Sequence, residues 1–382
     1  MLAPRTPAEL AAALGEAAAH GRTIGLAGNS TKRLMAGPIE PADVAITTSA
    51  LSRVLQYEPH DLTISVEAGL PWRELTCLAA QNRQMVPLDP PFADSATVGG
   101  VIVSNCSGPR RRLYGTARDL VIGMLFATLE GKLVQSGGMV VKNVAGLDMA
   151  KLMIGSFGTL AGIAVVNFKL LPAPETERSF LLPFESLAAA VAVRDQILAS
   201  TLQPSAVDLL NPAAGAQFSS NRWLLAIRAG GNAASVNRYE DDLAHIAGRL
   251  AVENDCPATL WPDIESFTPR FLHDHEDGAV VRVSCTLKDL ESVLASFDGP
   301  AIARAGSGVC YACFAQADAA GAWLRGAVGR VSKAVIEFSP EARKPALDLW
   351  PSPSGDFEIM RRVKSLFDPS NLLNRGRLYR RI

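Results

Sequence analysis

Three short stretches in the first half of the chain combine glycine with small polar side chains, a combination that suits anion binding by the backbone. The first follows the apolar run TIGLA and comprises Gly28, Asn29, Ser30, Thr31 and Lys32. Glycine and residues that tolerate left-handed backbone allow several N–H groups to converge on one phosphate. The pattern predicts a phosphate-binding loop, with a ligand-free glycine–asparagine turn as the alternative.

The second stretch reads SATVGGVIVSNCSGPRRRLYGTARDL from Ser95 and interrupts a β-branched apolar run. Its glycine pair permits close approach of the backbone to a flat ligand, and short polar side chains follow. We interpret it as lying against a planar, charged cofactor. The candidate residues here are Gly99, Gly100, Ser104, Asn105, Ser107, Gly108, Tyr114, Gly115 and Asp119.

The third stretch, VVKNVAGLDMAKLMIGSFGTLAGIAVV, offers Lys142, Asn143, Gly146, Asp148, Gly155, Gly158 and Gly162. Each stretch alone fits a set of tight β-turns, but three of them within one domain favour a common ligand. The GxxxxGK[ST] phosphate loop is absent from all three stretches. The chain also lacks GxGxxG after a strand, so a Rossmann dinucleotide site is unsupported.

Composition indicates a well-packed globular protein of two or three domains. The chain has 382 residues, of which 48% are hydrophobic and 20% charged, with a formal net charge of −1. This balance speaks against a nucleic-acid-binding surface. The sequence shows neither a membrane-spanning run nor a signal peptide. We therefore expect a cytoplasmic protein that reaches a membrane only through partners.

The distribution of strands and helices predicts an α+β fold. A capping threonine, Thr6, precedes Pro7 and Glu9, which predicts a helix that ends at Gly21. Short β runs then extend to Pro172, after which strands alternate with amphipathic helices. We predict one domain over 1–172, a second α+β domain over 173–340 and a tail over 341–382 that returns to the first.

Other reactive residues have competing interpretations. Cys310 and Cys313 form a CxxC that is a redox or zinc motif, or two small apolar residues in a strand. His273 and His275 would share one face of a strand near acidic residues, or lie in a solvated loop. The run 110–112, RRR, either attracts a carboxylate or an acidic partner or is solvated. We predict no metal site.

Several motifs occur in the order found in one enzyme family. They are Ser95-Ala96-Thr97-Val98-Gly99-Gly100, Tyr114-Gly115, Lys142-Asn143, Gly155-Ser156-Phe157-Gly158-Thr159-Leu160 and Leu366-Phe367-Asp368-Pro369. Together they resemble the FAD-linked oxidases of the vanillyl-alcohol oxidase/PCMH type. Within that family the chain is most similar to the FAD-binding subunits of glycolate oxidases. The resemblance covers residues 1–172 and the tail.

The resemblance implies a two-part PCMH-type FAD-binding domain with a smaller α+β cap domain and a role for each glycine-rich stretch. Residues 28–32 would hold the pyrophosphate, and Lys142 would place a cation near the reduced flavin. Asp119 would support the loops. Non-covalent attachment is expected, because the first loop has no histidine. Pyrophosphate and flavin would adjoin Thr97, Val98, Gly99, Gly100, Asn105, Ser107 and Gly108, while Gly158, Gly162 and Ile163 would lie near the adenine.

The same resemblance implies an FAD-dependent oxidoreductase acting on CH–OH groups, as a subunit that converts glycolate to glyoxylate. Its partners would be a second FAD-linked oxidase subunit and an iron–sulfur subunit, because this chain has no ferredoxin-like cysteine run. Two alternatives remain open. One is a flavin-bearing structural or electron-relay subunit without a substrate site; the other is a stand-alone oxidase of another 2-hydroxy acid. The catalytic base is unassigned.

Overall fold

A computed structural model describes residues 1–140, 146–248, 256–327, 333–350, 355–380 and 382. Its strands are β1 Ile24–Ala27, β2 Val44–Thr47, β3 Val54–Glu58, β4 Thr63–Glu67, β5 Gln84–Met85, β6 Val121–Ala127, β7 Leu133–Gly137, β8 Gly162–Lys169, β9 Leu171–Pro172, β10 Thr176–Phe184, β11 Ala206–Leu210, β12 Trp223–Gly231, β13 Ala279–Ser284, β14 Ala301–Arg304, β15 Val309–Phe314 and β16 Lys333–Phe338.

The α-helices of the described residues lie between these strands and near the C-terminus. They are α1 Pro7–Ala19, α2 Trp72–Gln81, α3 Val98–Ser104, α4 Arg111–Tyr114, α5 Ala117–Leu120, α6 Met149–Met153, α7 Leu187–Ala199, α8 Pro212–Gly215, α9 Ala233–Ala247, α10 Leu260–Glu265, α11 Phe267–Asp274, α12 Leu290–Leu294, α13 Ala317–Ala327 and α14 Asp356–Phe367. This mixture confirms the predicted α+β class. Among the residues described, no helix has both the length and the apolar character needed to cross a membrane.

The chain divides into two compact units, the first of which comprises Met1–Ser107, Gly115–Ala173 and Ser352–Ile382. Its main sheet is antiparallel in the order β3-β4-β8-β6-β7, beside a parallel pair β1-β2 and a short pair β5-β9. Buried side chains of α2, α3, β4, β6 and β8 form one core. A second apolar cluster joins α1 to β1, β2 and β8. The glycine-rich stretches therefore connect well-packed elements.

Helix α1 begins as its sequence predicts. The hydroxyl of Thr6 accepts a hydrogen bond from the Glu9 backbone N–H at 3.1 Å, and the Glu9 carboxylate accepts from the Arg5 N–H at 2.9 Å. Pro7 occupies the first turn, where its missing N–H has no helical partner to lose. Leu10 and Leu14 then bury the inner face of the helix completely.

Replacing Thr6 with alanine should lower the free energy of unfolding by about 1 kcal/mol, because a backbone donor at the start of α1 loses its acceptor. Urea denaturation measures this difference. Thr6→Ser is the matched control, because serine keeps the hydroxyl and should lose only a few tenths of a kcal/mol. Equal stability of the alanine variant and the wild type would show that the cap contributes nothing.

The second unit comprises Gly108–Tyr114 and Pro174–Pro351 and is built on one antiparallel sheet. Its strand order is β10-β12-β11-β14-β15-β13-β16. Alternate residues of these strands, such as Leu225 and Val281, join buried residues of α7, α9, α12 and α13 in a single core. The opposite face carries buried ion pairs, among them Arg304 with Asp208. Helices α7, α9, α12 and α13 therefore cover one face of the sheet.

Neither interpretation of His273 and His275, on a strand face or in a solvated loop, matches the structure. His273 lies in α11, and His275 ends that helix, stacked on Phe271 with ring centroids 4.3 Å apart. Phe267, Phe271 and Leu272 are buried at helical spacing, and burial of this face determines the local structure. His273 is exposed beside Asp274. The two rings therefore have separate environments.

The CxxC lies in β15, where a spacing of three residues places Cys310 and Cys313 on opposite faces of the sheet. Both thiols are free and buried, and burial raises the pKa of Cys313 well above its ordinary value. This placement favours the interpretation of two small apolar residues in a strand. In the described part of the chain, no group of three His, Cys, Asp or Glu side chains is arranged to hold a metal ion.

The arginine run 110–112 lies within the second unit, and only part of it is solvated. Arg112 is half-buried, and its guanidinium donates a hydrogen bond to the Pro204 carbonyl at 2.8 Å. Its side chain also lies against Gly306. Burial lowers the pKa of Arg112, with a smaller opposing contribution from Tyr239. Arg112 therefore has a structural role in holding the segment 108–114 to its unit.

A candidate cofactor-binding site

The first unit contains a cavity of about 490 Å³ at the end of the parallel pair β1-β2. Its walls come from the loop after β1, the start of α3 and a part of the tail beyond α14. The predicted residues among its lining are Gly28, Asn29, Ser30, Thr31, Lys32, Thr97, Gly100 and Ser104, and Phe157 of the third stretch also lines it. All three glycine-rich stretches therefore meet at one cavity.

The loop after β1 bends sharply and supplies a buried cation. Ser30 has a left-handed backbone, with φ of 56°, and the Asn29 side chain donates a hydrogen bond to the Ser95 carbonyl at 3.0 Å. The Lys32 Nζ is buried and has no hydrogen-bond partner among the described residues. Burial lowers its pKa from the ordinary 10.5, opposed by a smaller interaction with Cys106. An anion in the cavity would neutralise this ammonium.

Helix α3 presents its N-terminus to the same cavity. Thr97 caps the helix, since its Oγ1 accepts a hydrogen bond from the Gly100 N–H at 3.2 Å. A Cβ added at Gly28 would overlap with that same Oγ1, so the loop and the helix are in direct contact. Glycine at position 28 is required by this close approach. The Gly28 backbone and the Thr97 hydroxyl form one wall.

The tail contributes three residues to the cavity that were not predicted from the sequence. The side-chain oxygen of Asn374 accepts a hydrogen bond from the Leu26 N–H at 2.7 Å, and its Nδ2 donates to the carbonyls of Leu26 and Phe157 at 3.0 Å each. Arg375 and Arg377 also line the cavity. The only sequence signal was the basic character of this tail, which is equally typical of a solvated segment.

Several predicted residues pack elsewhere in the first unit. Val98 and Gly99 donate backbone hydrogen bonds to the carbonyls of Leu70 and Ala68, and a Cβ on Gly99 would lie 2.9 Å from the Ala68 Cβ. This contact explains the glycine by packing. Asn105 ends α3 with a left-handed backbone, while Ser107 is buried.

Gly115 and Asp119 form a local structure of their own. The Asp119 carboxylate accepts a hydrogen bond from the Thr116 N–H at 2.8 Å and completes the cap of α5. Gly115 has a φ of 80°, and a Cβ there would overlap with the Asp119 carboxylate. Asp119 thus stabilises the start of α5.

The remaining predicted residues have different surroundings. Gly158 has a φ of 67°, and a Cβ there would lie 2.9 Å from the Asn374 Nδ2, so it adjoins the cavity wall. Gly162 faces Leu14 of α1, and Ile163 is buried in the core. Gly108 and Tyr114 belong to the second unit. Lys142 lies outside the described residues.

Two protein-family models match regions of the chain that line the cavity. A model of the FAD binding domain matches residues 1–137, and a model of the C-terminal domain of FAD linked oxidases matches residues 352–378. In these two regions the chain is similar to FAD-linked oxidases. Apart from Gly108–Tyr114, both matched regions lie in the first unit, and each contributes residues to the cavity lining.

Three curated relatives match part of this chain. Glycolate oxidase subunit GlcD of Bacillus subtilis is 29% identical over 55% of this chain and 45% of its own length. Glycolate oxidase subunit GlcE of Escherichia coli is 37% identical over 33% of this chain and 36% of its own. D-lactate dehydrogenase of Anaerostipes hadrus is 31% identical over 44% of this chain and 35% of its own length. The matches thus span less than half of each relative.

A solved structure of alkyldihydroxyacetonephosphate synthase has a similar fold. It superposes with a TM-score of 0.73 at 19% identity and covers 97% of this chain and 75% of that one. At this identity the similarity concerns the fold alone. It includes both units of the chain.

FAD, which both matched family models name, fits the residues of the cavity. The Lys32 ammonium, without a hydrogen-bond partner among the described residues, provides the positive charge that a pyrophosphate requires. Gly28 leaves room beside Thr97, and the loop after β1 carries two further hydroxyl groups. The guanidinium groups of Arg375 and Arg377 add positive charge to the lining. FAD is therefore the cofactor, and residues 28–32 are the part of the chain best suited to its pyrophosphate.

Proposed function

We propose that this chain is the FAD-binding subunit of a glycolate oxidase complex and takes part in oxidising glycolate to glyoxylate. The observation that carries the proposal is a cavity lined by residues 28–32 of the matched FAD-binding domain, next to the buried Lys32 Nζ, which has no hydrogen-bond partner among the described residues. The similarity to GlcE and GlcD supports the choice of glycolate. We propose a second FAD-linked oxidase subunit and an iron–sulfur subunit as partners.

When bound, FAD would supply the hydride acceptor for the α-carbon of a 2-hydroxy acid, whose hydroxyl proton would go to a base. This chain's own contribution begins with cofactor binding. Lys32 would neutralise the pyrophosphate, and Gly28 would let it approach the backbone of the loop. Because residues 28–32 contain no histidine, we propose that FAD is held without a covalent bond.

Anaerobic reduction by substrate tests this function. Glycolate is added to the purified chain with FAD, once alone and once mixed with its partner subunits. The flavin absorbance at about 450 nm is followed as the cofactor accepts electrons. We expect glycolate to bleach the flavin, either in the chain alone or in the mixture with its partners. A flavin that stays oxidised in the complete complex would contradict the proposal. Flavin that bleaches only with partners would show that the substrate site needs the partner subunits.

D-lactate is the second candidate substrate, because a D-lactate dehydrogenase of Archaeoglobus fulgidus aligns with 91% of this chain at 24% identity. Glycolate and D-lactate differ by one methyl group, and an apolar pocket discriminates such a difference by about 10- to 200-fold in kcat/KM. Measuring flavin reduction with both acids under one set of conditions decides between them. A higher kcat/KM for D-lactate would replace glycolate in our proposal.

A further inference from the structure

We propose that the tail segment 368–377 is a clamp whose docking is coupled to FAD binding, with Asn374 as its positioning residue and the Lys364–Asp368 ion pair as its anchor. The proposal concerns the cofactor cavity and holds for any substrate. It depends on contacts within the first unit only. Three observations lead from the anchor to the cavity.

The anchor is a buried ion pair whose ammonium makes three hydrogen bonds. The Lys364 Nζ donates to the Asp368 Oδ2 at 2.6 Å, to the Thr159 carbonyl at 2.8 Å and to the Leu373 carbonyl at 3.0 Å. Its three donors are therefore all used. Lys364 and Asp368 are 4% and 2% exposed. A buried pair with this many partners fixes the path of the chain beyond α14.

Asp368 turns the tail toward β1. Its two carboxylate oxygens accept hydrogen bonds from the N–H groups of Leu372 and Leu373 at 2.9 and 2.8 Å. Leu373 then forms a parallel bridge with Ile24, the first residue of β1. The Ile24 N–H donates to the Leu372 carbonyl, and the Asn374 N–H to the Ile24 carbonyl. The tail thus extends the edge of the β1-β2 pair.

Asn374 connects two walls of the cavity. Its amide is bonded to both backbone groups of Leu26, two residues before Gly28, and to the carbonyl of Phe157. All four residues line the cavity. A side chain that bonds two wall segments and adjoins the ligand space transmits displacement of either wall to the other. FAD that fixes the loop after β1 therefore also stabilises the docked tail, and the coupling is reciprocal.

A second contact holds the tail on the other side of the same loop. The Gly37 N–H donates to the Arg377 carbonyl at 2.9 Å, and the Arg377 guanidinium donates to the carbonyls of Gly37 and Met35. A Cβ on Gly37 would overlap with the Gly376 carbonyl oxygen. The tail therefore contacts the chain both before and after the phosphate-binding loop.

Hydrogen exchange and FAD titration of the full chain test the clamp. In the wild type, we expect bound FAD to slow amide exchange in 372–377 by about tenfold or more relative to the FAD-free protein. Asn374→Ala should bind FAD about tenfold more weakly, measured by FAD fluorescence, because three hydrogen bonds that order the wall are lost. Its far-ultraviolet circular dichroism should match the wild type.

The controls separate positioning from a general loss of stability. Arg361→Met, on the exposed face of α14, should bind FAD as the wild type does. Asn374→Gln keeps the amide and should recover part of the affinity. Equal FAD affinity in Asn374→Ala and the wild type overturns the proposal. So does exchange in 372–377 that is unchanged by FAD, even if FAD binds tightly and glycolate reduces it.

Discussion

Replacing Lys32 with methionine will weaken FAD binding and, at the same time, stabilise the protein without FAD. Methionine keeps the length of the side chain and removes the charge. The Lys32 ammonium is buried without a partner, so the FAD-free protein bears a desolvation cost that the variant lacks. A charge-assisted hydrogen bond contributes about 1.5–3 kcal/mol, which predicts a dissociation constant about 10- to 150-fold higher.

Two measurements on the same samples check these opposite signs. FAD fluorescence titration gives the dissociation constant, and urea denaturation of the FAD-free protein gives the free energy of unfolding. Lys132→Met is the matched control, because Lys132 is exposed in an ion pair with Glu130. It should change neither quantity by more than a few tenths of a kcal/mol. A Lys32→Met variant that retains wild-type FAD affinity would contradict our placement of the pyrophosphate.

Replacing Gly28 with alanine should abolish tight FAD binding by a steric effect. The added Cβ would overlap with the Thr97 Oγ1 and lie 3.2 Å from the Thr97 Cγ2. The hydroxyl must then leave the cap of α3, and the wall of the cavity must move. Overpacking of this kind costs about 1–3 kcal/mol of stability, and the displaced wall further reduces FAD affinity.

The double variant Gly28→Ala/Thr97→Ala isolates the cause. Removing both the Oγ1 and the Cγ2 of Thr97 relieves the overlap, so the double variant should be more stable than the sum of the two single changes predicts. Thermal unfolding of the wild type, the two single variants and the double variant completes this double-mutant cycle. Strict additivity would show that the contact between Gly28 and Thr97 is not what excludes alanine.

Features with local physical causes were predictable from the sequence. The start of α1 depends on Thr6, Pro7 and Glu9, which are neighbours along the chain. The loop 28–32 was recognisable because its glycine, hydroxyl groups and cation lie within five successive residues. Around His273, the i, i+2 spacing of the histidines suggested a strand, while the spacing of the phenylalanines suits a helix. The buried phenylalanines of α11 determine the structure, and the segment that contains His273 is helical.

The rest depends on contacts between distant parts of the chain. Asn374 lies 348 residues from Leu26, and a single asparagine carries no signal of such a partner. The order of the strands in the large sheet likewise places β14 between β11 and β15. Gly99 illustrates a different limit. Its residue type permits approach to a cofactor, but only the fold shows that Ala68 occupies that space.

The parallel bridge between Ile24 and Leu373 also has a consequence for biosynthesis. Translation proceeds from the N-terminus, at about 5–20 residues per second, and early domains usually fold first. Here the cofactor cavity includes residues of the tail segment 368–377, which leaves the ribosome after the other parts of the cavity. A nascent chain stalled before residue 364 should therefore remain unable to retain its flavin, and cofactor loading should follow the synthesis of residues 364–377.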